Sequence, residues 1–329
     1  MSFYKNKKCS CFRMNDSLYI IGNGFDIHHG IRCSYRDFYE WLGGHHSGVI
    51  DKMDEVYGCC DGDWWSDFEH NLGEIDLMEH AQQVAFENPV ALASDHCDST
   101  WNDAQVAVEN EMDELYNSLQ TCFEEWVTQL NTPSPDKRIY LDTSDAKFLV
   151  FNYTRTLENL YGIPSQKVLH IHGEAGKNEK MIIGHNKSKE VLRKEHPTPH
   201  DLFRQGKLDE ETASTYDVHD EWAWEEMFNQ VASMQKPVEK IMKQYGDFFN
   251  GLKNVQKIYA YGFSFSDVDI PYMSKIVEMA PLAHWDISCF SSKDRNRAKT
   301  FAITHGVNDF SLISLSDVQN PRQLEIEFP

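Results

Sequence analysis

Short apolar segments alternate with amphipathic helices along most of this 329-residue chain. In the segment Lys147–Phe151, four apolar residues stand in a row, which indicates a strand buried on both faces. Similar strands are predicted at 18–21, 167–172, 181–183, 257–261, 285–290 and 310–315. Short buried strands that alternate with helices predict an α/β fold built on a doubly wound, mostly parallel sheet.

The first predicted strand runs directly into the turn Gly22-Asn23-Gly24, and Ser34–Asp37 follow as a capping signature at the head of a helix. We expect positive φ angles at Gly22 and Gly24. They would let the backbone approach a ligand closely, as in a nucleotide-binding βα turn. Because Ile27 stands where a dinucleotide fingerprint has its third glycine, this turn alone does not identify a cofactor.

Two long insertions are predicted within one domain that spans residues 15–329. From about 45 to 140 the pattern is helical, and from about 187 to 235 a polar, proline- and charge-rich segment is interpreted as a lid-like insertion. Amphipathic helices are predicted at 37–42 (ending at Gly43-Gly44), 75–85, 108–130, 237–252 and 293–305. Residues 1–14 form an N-terminal extension, in which Met14 is an alternative start.

Charge and cysteine usage narrow the class of protein. The formal net charge of −21 argues against a broad nucleic-acid-binding surface, because such surfaces rely on Lys and Arg to neutralise phosphates. The eight cysteines include no Cys-x-x-Cys pair, so we expect free thiols in a reducing compartment. No apolar run reaches the roughly twenty residues of a membrane span, and no signal peptide is apparent. We therefore expect a soluble, cytoplasmic protein without a membrane partner.

Polar turns follow several of the predicted strands. They are the segments 22–26, 152–154, 172–173, 184–186 and 262–267. The carboxyl ends of parallel strands meet at one edge of a sheet, where α/β proteins bind their ligands. The convergence of these turns predicts a binding site at that edge.

The motifs at these turns resemble those of the AbiH family of bacterial phage abortive-infection proteins. The likeness rests on Ile20–Asp26 with the following Ser34-Tyr35-x-x-Phe38, on Phe151–Thr154, on His170-x-His172-Gly173 and on Tyr261–Ile270. The resemblance implies an antiphage abortive-infection effector. It also implies a phage-derived trigger or a defence partner, and self-assembly into a homo-oligomer is one form that such a trigger would take.

More distantly, the order of turns is similar to that of SIR2-like domains, which implies a Rossmann-like sheet with helical insertions that takes NAD as a substrate. In such domains an Asn and a His before Gly carry NAD cleavage, and a Gly-x-Ser-x-x-Asp turn holds the nucleotide. Asn152, His172 and the turn Gly262-x-Ser264-x-x-Asp267 match those positions. Thr154 departs from the usual Asp of the first turn.

The leading hypothesis is hydrolysis of the N-glycosidic bond of NAD or a related nucleotide, with no metal. The nicotinamide leaving group is already cationic, so the protein must stabilise a developing ribose cation and guide a water molecule. Asn152 would position ribose or water, His172 would act as general base, and Asp26 would bind ribose or offset its charge. The nucleotide-contacting residues are predicted to be Gly22, Asn23, Gly24, Phe25, Gly173, Gly262, Ser264 and Asp267.

Alternative interpretations remain open. His170, His172, His185 and the sequence Asp26-Ile27-His28 would suit a metal-dependent phosphoesterase or nuclease. A catalytically silent nucleotide sensor or partner-binding module is a further alternative. Each site residue also has a purely structural explanation: Asn152, Asp26, Ser264 and Asp267 as turn or cap residues, His172 as a core residue, and His28 and His29 as solvated loop residues.

Overall fold

The computed structural model describes residues 16–58, 60–89, 102–177, 180–213 and 218–318. The predicted N-terminal extension, including Met14, lies outside the described residues. Four of the eight cysteines lie within the described residues, namely Cys33, Cys60, Cys122 and Cys289, and all four are buried. Within the described ranges, no helix has both the length and the apolar character that crossing a membrane requires.

A six-stranded sheet with all strands parallel forms the centre of the fold, in the order β3-β2-β1-β4-β5-β6. The strands are β1 (Asp16–Ile21), β2 (Ala146–Val150), β3 (Val168–His170), β4 (Val255–Tyr261), β5 (His284–Ser288) and β6 (Phe310–Ile313). In β1, Leu18 and Ile20 face one apolar cluster while Tyr19 and Ile21 face another. Burial on both faces explains the unbroken apolar run. The predicted α/β fold with a parallel, Rossmann-like sheet is confirmed.

Strand β1 lies near the centre of the sheet, and the strands that follow it along the chain are added first on one side of it and then on the other. After β1 the chain moves outward through β2 to β3, returns to β4 on the other side of β1, and continues outward to β5 and β6. Ile21 therefore pairs with Val150 on one side and with Tyr261 on the other. This arrangement creates a topological switch point between β1 and β4, which is where open α/β sheets bind ligands.

Helices cover the sheet and form a separate helical core. They are α1 (Asn23–His28), α2 (Tyr35–His45), α3 (Ser47–Tyr57), α4 (Gly62–Ser66), α5 (Phe68–Asn71), α6 (Leu77–Glu87), α7 (Asp103–Thr128), α8 (Thr156–Tyr161), α9 (Lys189–Glu195), α10 (Pro199–Arg204), α11 (Glu210–Ala213), α12 (Val218–Ser233), α13 (Val238–Gln244), α14 (Gly246–Asn250), α15 (Ile270–Met279) and α16 (Ser292–His305). The long helix α7 packs against α6 and α12, and its apolar face is buried as its periodicity predicts.

Helix α12 belongs to the segment that the sequence suggests as a lid. Its residues Trp224, Met227, Phe228 and Val231 are fully buried in the helical core, beside residues of α6 and α7. The charged and proline-rich part of the segment lies before this helix, in α9 to α11. Motion of the segment stays a prediction, but its last helix is an integral part of the core.

Three predicted elements are wrong in detail. Helix α2 begins at its predicted capping box, formed by Ser34 and Asp37, but continues through Gly43-Gly44 to His45. The single helix predicted at 237–252 is two short helices, α13 and α14. The strand predicted at 181–183 does not form, because its backbone groups bond elsewhere: Gln120 donates to the Met181 carbonyl and Tyr153 donates to the Ile182 carbonyl.

Candidate functional site

The turns after β1 and β4 touch each other at the switch point. The backbone N–H of Gly24 donates to the carbonyl of Gly262 over 2.8 Å, and that of Gly22 donates to Tyr261 over 3.0 Å. A Cβ on Gly22 would lie 2.6 Å from the Gly262 oxygen, and one on Gly262 would lie 1.9 Å from the Phe25 nitrogen. These glycines are therefore required for the contact between the two turns.

The expected positive φ at Gly22 and Gly24 is wrong. Gly22 has a φ of −111°, and neither glycine is in the left-handed region, whereas Gly262 has a φ of 64°. The close approach that the sequence indicates is real, but the partner is the β4 turn rather than a ligand. Because the two N–H groups bond to that turn, they are not free donors for a phosphate.

Two clefts flank this contact. The first, of about 290 Å³, is lined by the turns after β1, β2 and β4 and by residues of the helical insertion. The second, of about 500 Å³, lies towards β5 and β6 and includes Gly24, His28, Gly262 and Ser288. The first volume is at the lower end of the range for small-molecule sites, about 300–1,000 Å³.

Most of the predicted site residues come together at these clefts. The first cleft is lined by Gly22, Asn23, Asp26, Asn152, His172 and Ser264. Gly24 and Gly262 line the second cleft, and Ser264 borders both. Three predicted residues line neither cleft, namely Phe25, Gly173 and Asp267. The predicted trio of catalytic residues thus shares one cleft, although it comes from three separate strand ends.

Asp26 is buried at the base of the first cleft. It lies in α1 directly after β1, and only 1% of its surface is exposed. The Thr154 hydroxyl donates a hydrogen bond to its Oδ2, while Oδ1 has no hydrogen-bond partner among the described residues. Burial raises the pKa of Asp26, and the neighbouring polar side chains of Thr154, Thr156 and Asn152 counteract only part of that rise. The threonine that departs from the expected Asp therefore binds a carboxylate instead of supplying one.

Asn152 connects the turns after β1 and β2. Its side-chain Nδ2 donates to the Gly22 carbonyl over 3.1 Å. Its Oδ1 is buried and accepts no hydrogen bond from the described residues. The amide nitrogen thus has a structural role, as a turn residue would, while the amide oxygen remains available to a ligand or to water.

His172 follows β3 and is almost completely buried against aromatic rings. Its imidazole packs edge-on against Phe151 and Tyr272, with ring centroids 5.3 Å and 5.8 Å away. Its Nε2 lies 3.6 Å from Oδ1 of Asp269 and makes no hydrogen bond within the described structure. Burial, followed by the positive charge of Lys236, holds the pKa of His172 well below its ordinary value. The imidazole is therefore neutral at physiological pH.

Of the two acidic residues after β4, the structure places Asp269 and not the predicted Asp267 at the first cleft. Asp267 is half exposed and does not line the first cleft; it accepts hydrogen bonds from His70 and Asn186, each over 3.1 Å. Asp269, two residues later, is buried and lines the cleft beside His172. The motif Ser266-Asp-Val-Asp269 contains both carboxylates, but the local sequence does not indicate which of the two side chains lines the cleft.

The helical insertion also contributes to the cleft. Glu69, Phe123 and Trp126 of this insertion line it, together with Tyr35 at the start of α2. A buried lysine, Lys236, lies behind Glu69 and Asp269 and pairs with both. No spacing in the sequence relates these residues, since they come from distant segments that only the fold brings together.

The histidines of the metal alternative do not converge. His170 contacts Glu158 and the Asn152 carbonyl, whereas both ring nitrogens of His185 contact backbone groups. Among the described residues, Glu158, His170 and Glu174 form the group whose ligand atoms lie within 4.8 Å of one another. Two cations already pair with Glu174 there: Arg155 at 3.1 Å and Lys177 at 2.6 Å. Neither Asp26 nor His172 belongs to the group formed by Glu158, His170 and Glu174.

The pair His28 and His29 is divided between two environments. His28 lines the second cleft. His29 is fully buried, where its Nδ1 lies 2.7 Å from the Phe25 carbonyl and its Nε2 lies 2.7 Å from the Tyr161 hydroxyl. The solvated environment suggested for His29 is therefore wrong, and its contacts anchor the end of α1.

Comparison with known proteins assigns the chain to a family. No curated protein matches it. A sequence profile described as "Bacteriophage abortive infection AbiH" matches residues 18–289, which is more than half of the chain. The matched region begins in β1, ends just after β5, and contains every residue that lines the first cleft. The chain therefore belongs to the AbiH family of bacteriophage abortive-infection proteins.

Proposed function

We propose that this AbiH protein acts in antiphage defence by hydrolysing the N-glycosidic bond of NAD or a closely related nucleotide. Family membership supports the abortive-infection role. The observation that carries the chemical proposal is the meeting of Asp26, Asn152 and His172 in one cleft beside the switch point. A buried carboxylate, a free amide oxygen and a neutral imidazole are the groups that such a hydrolysis requires.

In the proposed reaction, the bond between ribose C1′ and the nicotinamide nitrogen breaks, and its electron pair neutralises the pyridinium. Water then forms a bond to C1′, and its proton passes to the neutral imidazole of His172 and on to solvent. The products are nicotinamide, ADP-ribose and one proton. Asn152 Oδ1 would orient the water or a ribose hydroxyl, while Asp26 and Asp269 would favour the positive charge that develops on ribose.

The acidic character of the first cleft also bears on how the nucleotide would lie. Asp26, Glu69 and Asp269 line this cleft, so diphosphate is disfavoured inside it. The second cleft contains Lys137 and the fully exposed ring of Phe290. We propose that ribose and nicotinamide occupy the first cleft and that the remainder of the nucleotide extends towards the second.

The test is a nicotinamide-release assay with purified protein, alone and in phage lysate. We expect Asn152→Ala and His172→Ala to lower the release of nicotinamide and ADP-ribose by about 100-fold or more. His284→Ala is a matched control, because His284 lies at the opposite end of the sheet, paired with Asp286 and Asp309. Absence of product under every trigger, or wild-type turnover in His172→Ala, would contradict the proposal.

A nucleotide sensor without catalytic activity is a second candidate. The observation in its favour is that Asn152 Nδ2 and Thr154 Oγ1 are engaged in hydrogen bonds within the protein. This candidate predicts that calorimetry detects NAD binding while no nicotinamide is released. Detection of product that depends on His172 would rule it out.

A further inference from the structure

A fully buried lysine lies behind the first cleft. Only 1% of the Lys236 side chain is exposed. Its Nζ lies 2.8 Å from Oε1 of Glu69, in α5, and 3.5 Å from Oδ1 of Asp269, just before α15. Burial of an unpaired ammonium group is strongly unfavourable, so a lysine in this position requires both carboxylates. Burial alone would lower the pKa of Lys236, but the two carboxylates together raise it, and the lysine is charged.

One carboxylate oxygen connects this lysine to the imidazole. Oδ1 of Asp269 lies 3.5 Å from Lys236 Nζ and 3.6 Å from His172 Nε2. Lys236 does not line the cleft, whereas Asp269 and His172 do. The lysine therefore influences the cleft through Asp269 and not by contact with a ligand.

We propose that Lys236 is a positioning residue, which holds Asp269 against Nε2 of His172 and thereby fixes the imidazole proton on that nitrogen. The role rests on the proposed function, in which His172 is the general base. A neutral imidazole carries one N–H, and the nitrogen that faces a carboxylate is the one that keeps it. With the proton on Nε2, the lone pair is on Nδ1, which is then the nitrogen that accepts a proton from water.

Lys236 joins the two parts of the protein at this point. It follows the bridge between His185 and Gln235, and its backbone N–H donates to the His185 carbonyl over 2.9 Å. Gly184 allows this contact, since a Cβ there would lie 1.9 Å from the Met234 oxygen. The backbone of Lys236 is thus hydrogen-bonded to the His185 segment just after α12. Backbone contacts of this kind fix the position of a residue that orients another side chain.

Lys187 offers a matched control in the segment that pairs with the Lys236 segment, two residues after His185. Its Nζ also pairs with two carboxylates, Glu74 at 2.6 Å and Glu195 at 2.7 Å, but it does not line either cleft. Lys187→Met therefore removes a lysine with two ion pairs and leaves Asp269 and His172 untouched. Lys236→Met removes the same kind of group and frees Asp269.

The experiment measures the protonation of His172 directly, by ¹⁵N NMR of protein labelled on histidine, with the His172 signals identified by their loss in His172→Gln. We expect a proton on Nε2 in the wild type and in Lys187→Met. In Lys236→Met we expect loss of this single form, seen as mixed tautomers or protonation of both nitrogens. A proton on Nδ1 in the wild type, or an unchanged Nε2–H form in Lys236→Met, would overturn the proposal.

A second variant covers the case in which Lys236→Met does not fold. Asp269→Asn keeps the shape of the side chain but removes the charge that faces Nε2, and we expect the same loss of the single tautomer. An unchanged tautomer in this variant would equally overturn the proposal. If turnover exists, both variants lower it about 10- to 100-fold without weakening NAD binding. Absence of turnover in the wild type counts against the proposed function alone, because the tautomer is observed without it.

Discussion

The hydroxyl of Thr154 donates a hydrogen bond to the buried carboxylate of Asp26, which joins the turns after β1 and β2 through their side chains. This bond satisfies Oδ2 of Asp26, while Oδ1 has no partner among the described residues. A carboxylate that is buried with one free oxygen costs folding energy, and such costs concentrate at functional sites. Asp26 is therefore the residue at which stability and function are expected to oppose each other.

We predict that Asp26→Asn stabilises the protein at neutral pH, by roughly 0.5–2 kcal/mol, while it abolishes turnover. The pKa of Asp26 is raised by burial, so the native state favours the protonated carboxyl and loses stability as pH rises through that pKa. A neutral amide avoids this loss. The stability gain should therefore be larger at neutral pH than below the ordinary carboxyl pKa of 3.8, as measured by urea unfolding.

The substitution Thr154→Val changes the donor of the same hydrogen bond. It removes the hydrogen bond but leaves the carboxylate, and we expect it to destabilise the protein by roughly 1–3 kcal/mol. In the Asp26→Asn background the same substitution should cost less, because no buried charge is left unsatisfied. Equal costs in both backgrounds would show that the hydrogen bond in the structure does not govern the stability of this cleft.

The contact between Gly262 and the β1 turn predicts a severe effect of a small substitution. Gly262→Ala places a Cβ 1.9 Å from the Phe25 nitrogen at a φ of 64°. We expect a loss of stability of about 4 kcal/mol or more, or failure to fold. Gly306→Ala is the control: its φ is 73°, but nothing lies within 4 Å of its Cβ. It should cost only about 1 kcal/mol, measured by the same denaturant titration.

The sheet could be predicted from the sequence because each buried strand shows its burial in its own residues, as Leu18–Ile21 do. Asp26, Asn152 and His172 could be predicted to share a site because parallel strands place their carboxyl ends at one edge. Two predictions were wrong for the same reason, because tertiary contacts determine the local conformation. Gly22 and Gly24 were needed by the β4 turn instead of a ligand, and the segment 181–183 found side-chain partners instead of a strand. No local sequence pattern predicts that Lys236 lies behind the cleft.

Helix α12 provides a test of how the suggested lid is attached. Trp224 is fully buried in the helical core, whereas Trp222 on the same helix is 37% exposed. We expect Trp224→Ala to lower the free energy of unfolding by about 3–5 kcal/mol, and Trp222→Ala by much less. Differential scanning fluorimetry of the two variants reports these losses as shifts in melting temperature. Similar small shifts in melting temperature would mean that α12 is loosely attached and is free to move with the rest of the segment.

The pH dependence of turnover should report Asp269. Burial raises the pKa of this carboxyl to about 6, and the positive charge of Lys236 limits the rise, while Glu69 and Asp267 add to it. The native state therefore favours protonated Asp269, and its contribution to stability is lost as pH rises from the ordinary value of 3.8 through about 6. Turnover is expected to change with pH in the opposite direction, because only the ionised carboxylate of Asp269 can hold the proton on Nε2 of His172.

We consequently expect turnover to rise with pH to a plateau above about 7, with a midpoint near 6, whereas the stability attributable to Asp269 falls over the same interval. In Asp269→Asn the remaining turnover should lose this limb, and stability measured by urea unfolding should change less between pH 5 and pH 7. Asp309→Asn is the control, because Asp309 is exposed and pairs with His284 at the opposite end of the sheet. A limb near pH 6 that persists unchanged in Asp269→Asn would assign it to another group and remove Asp269 from the mechanism.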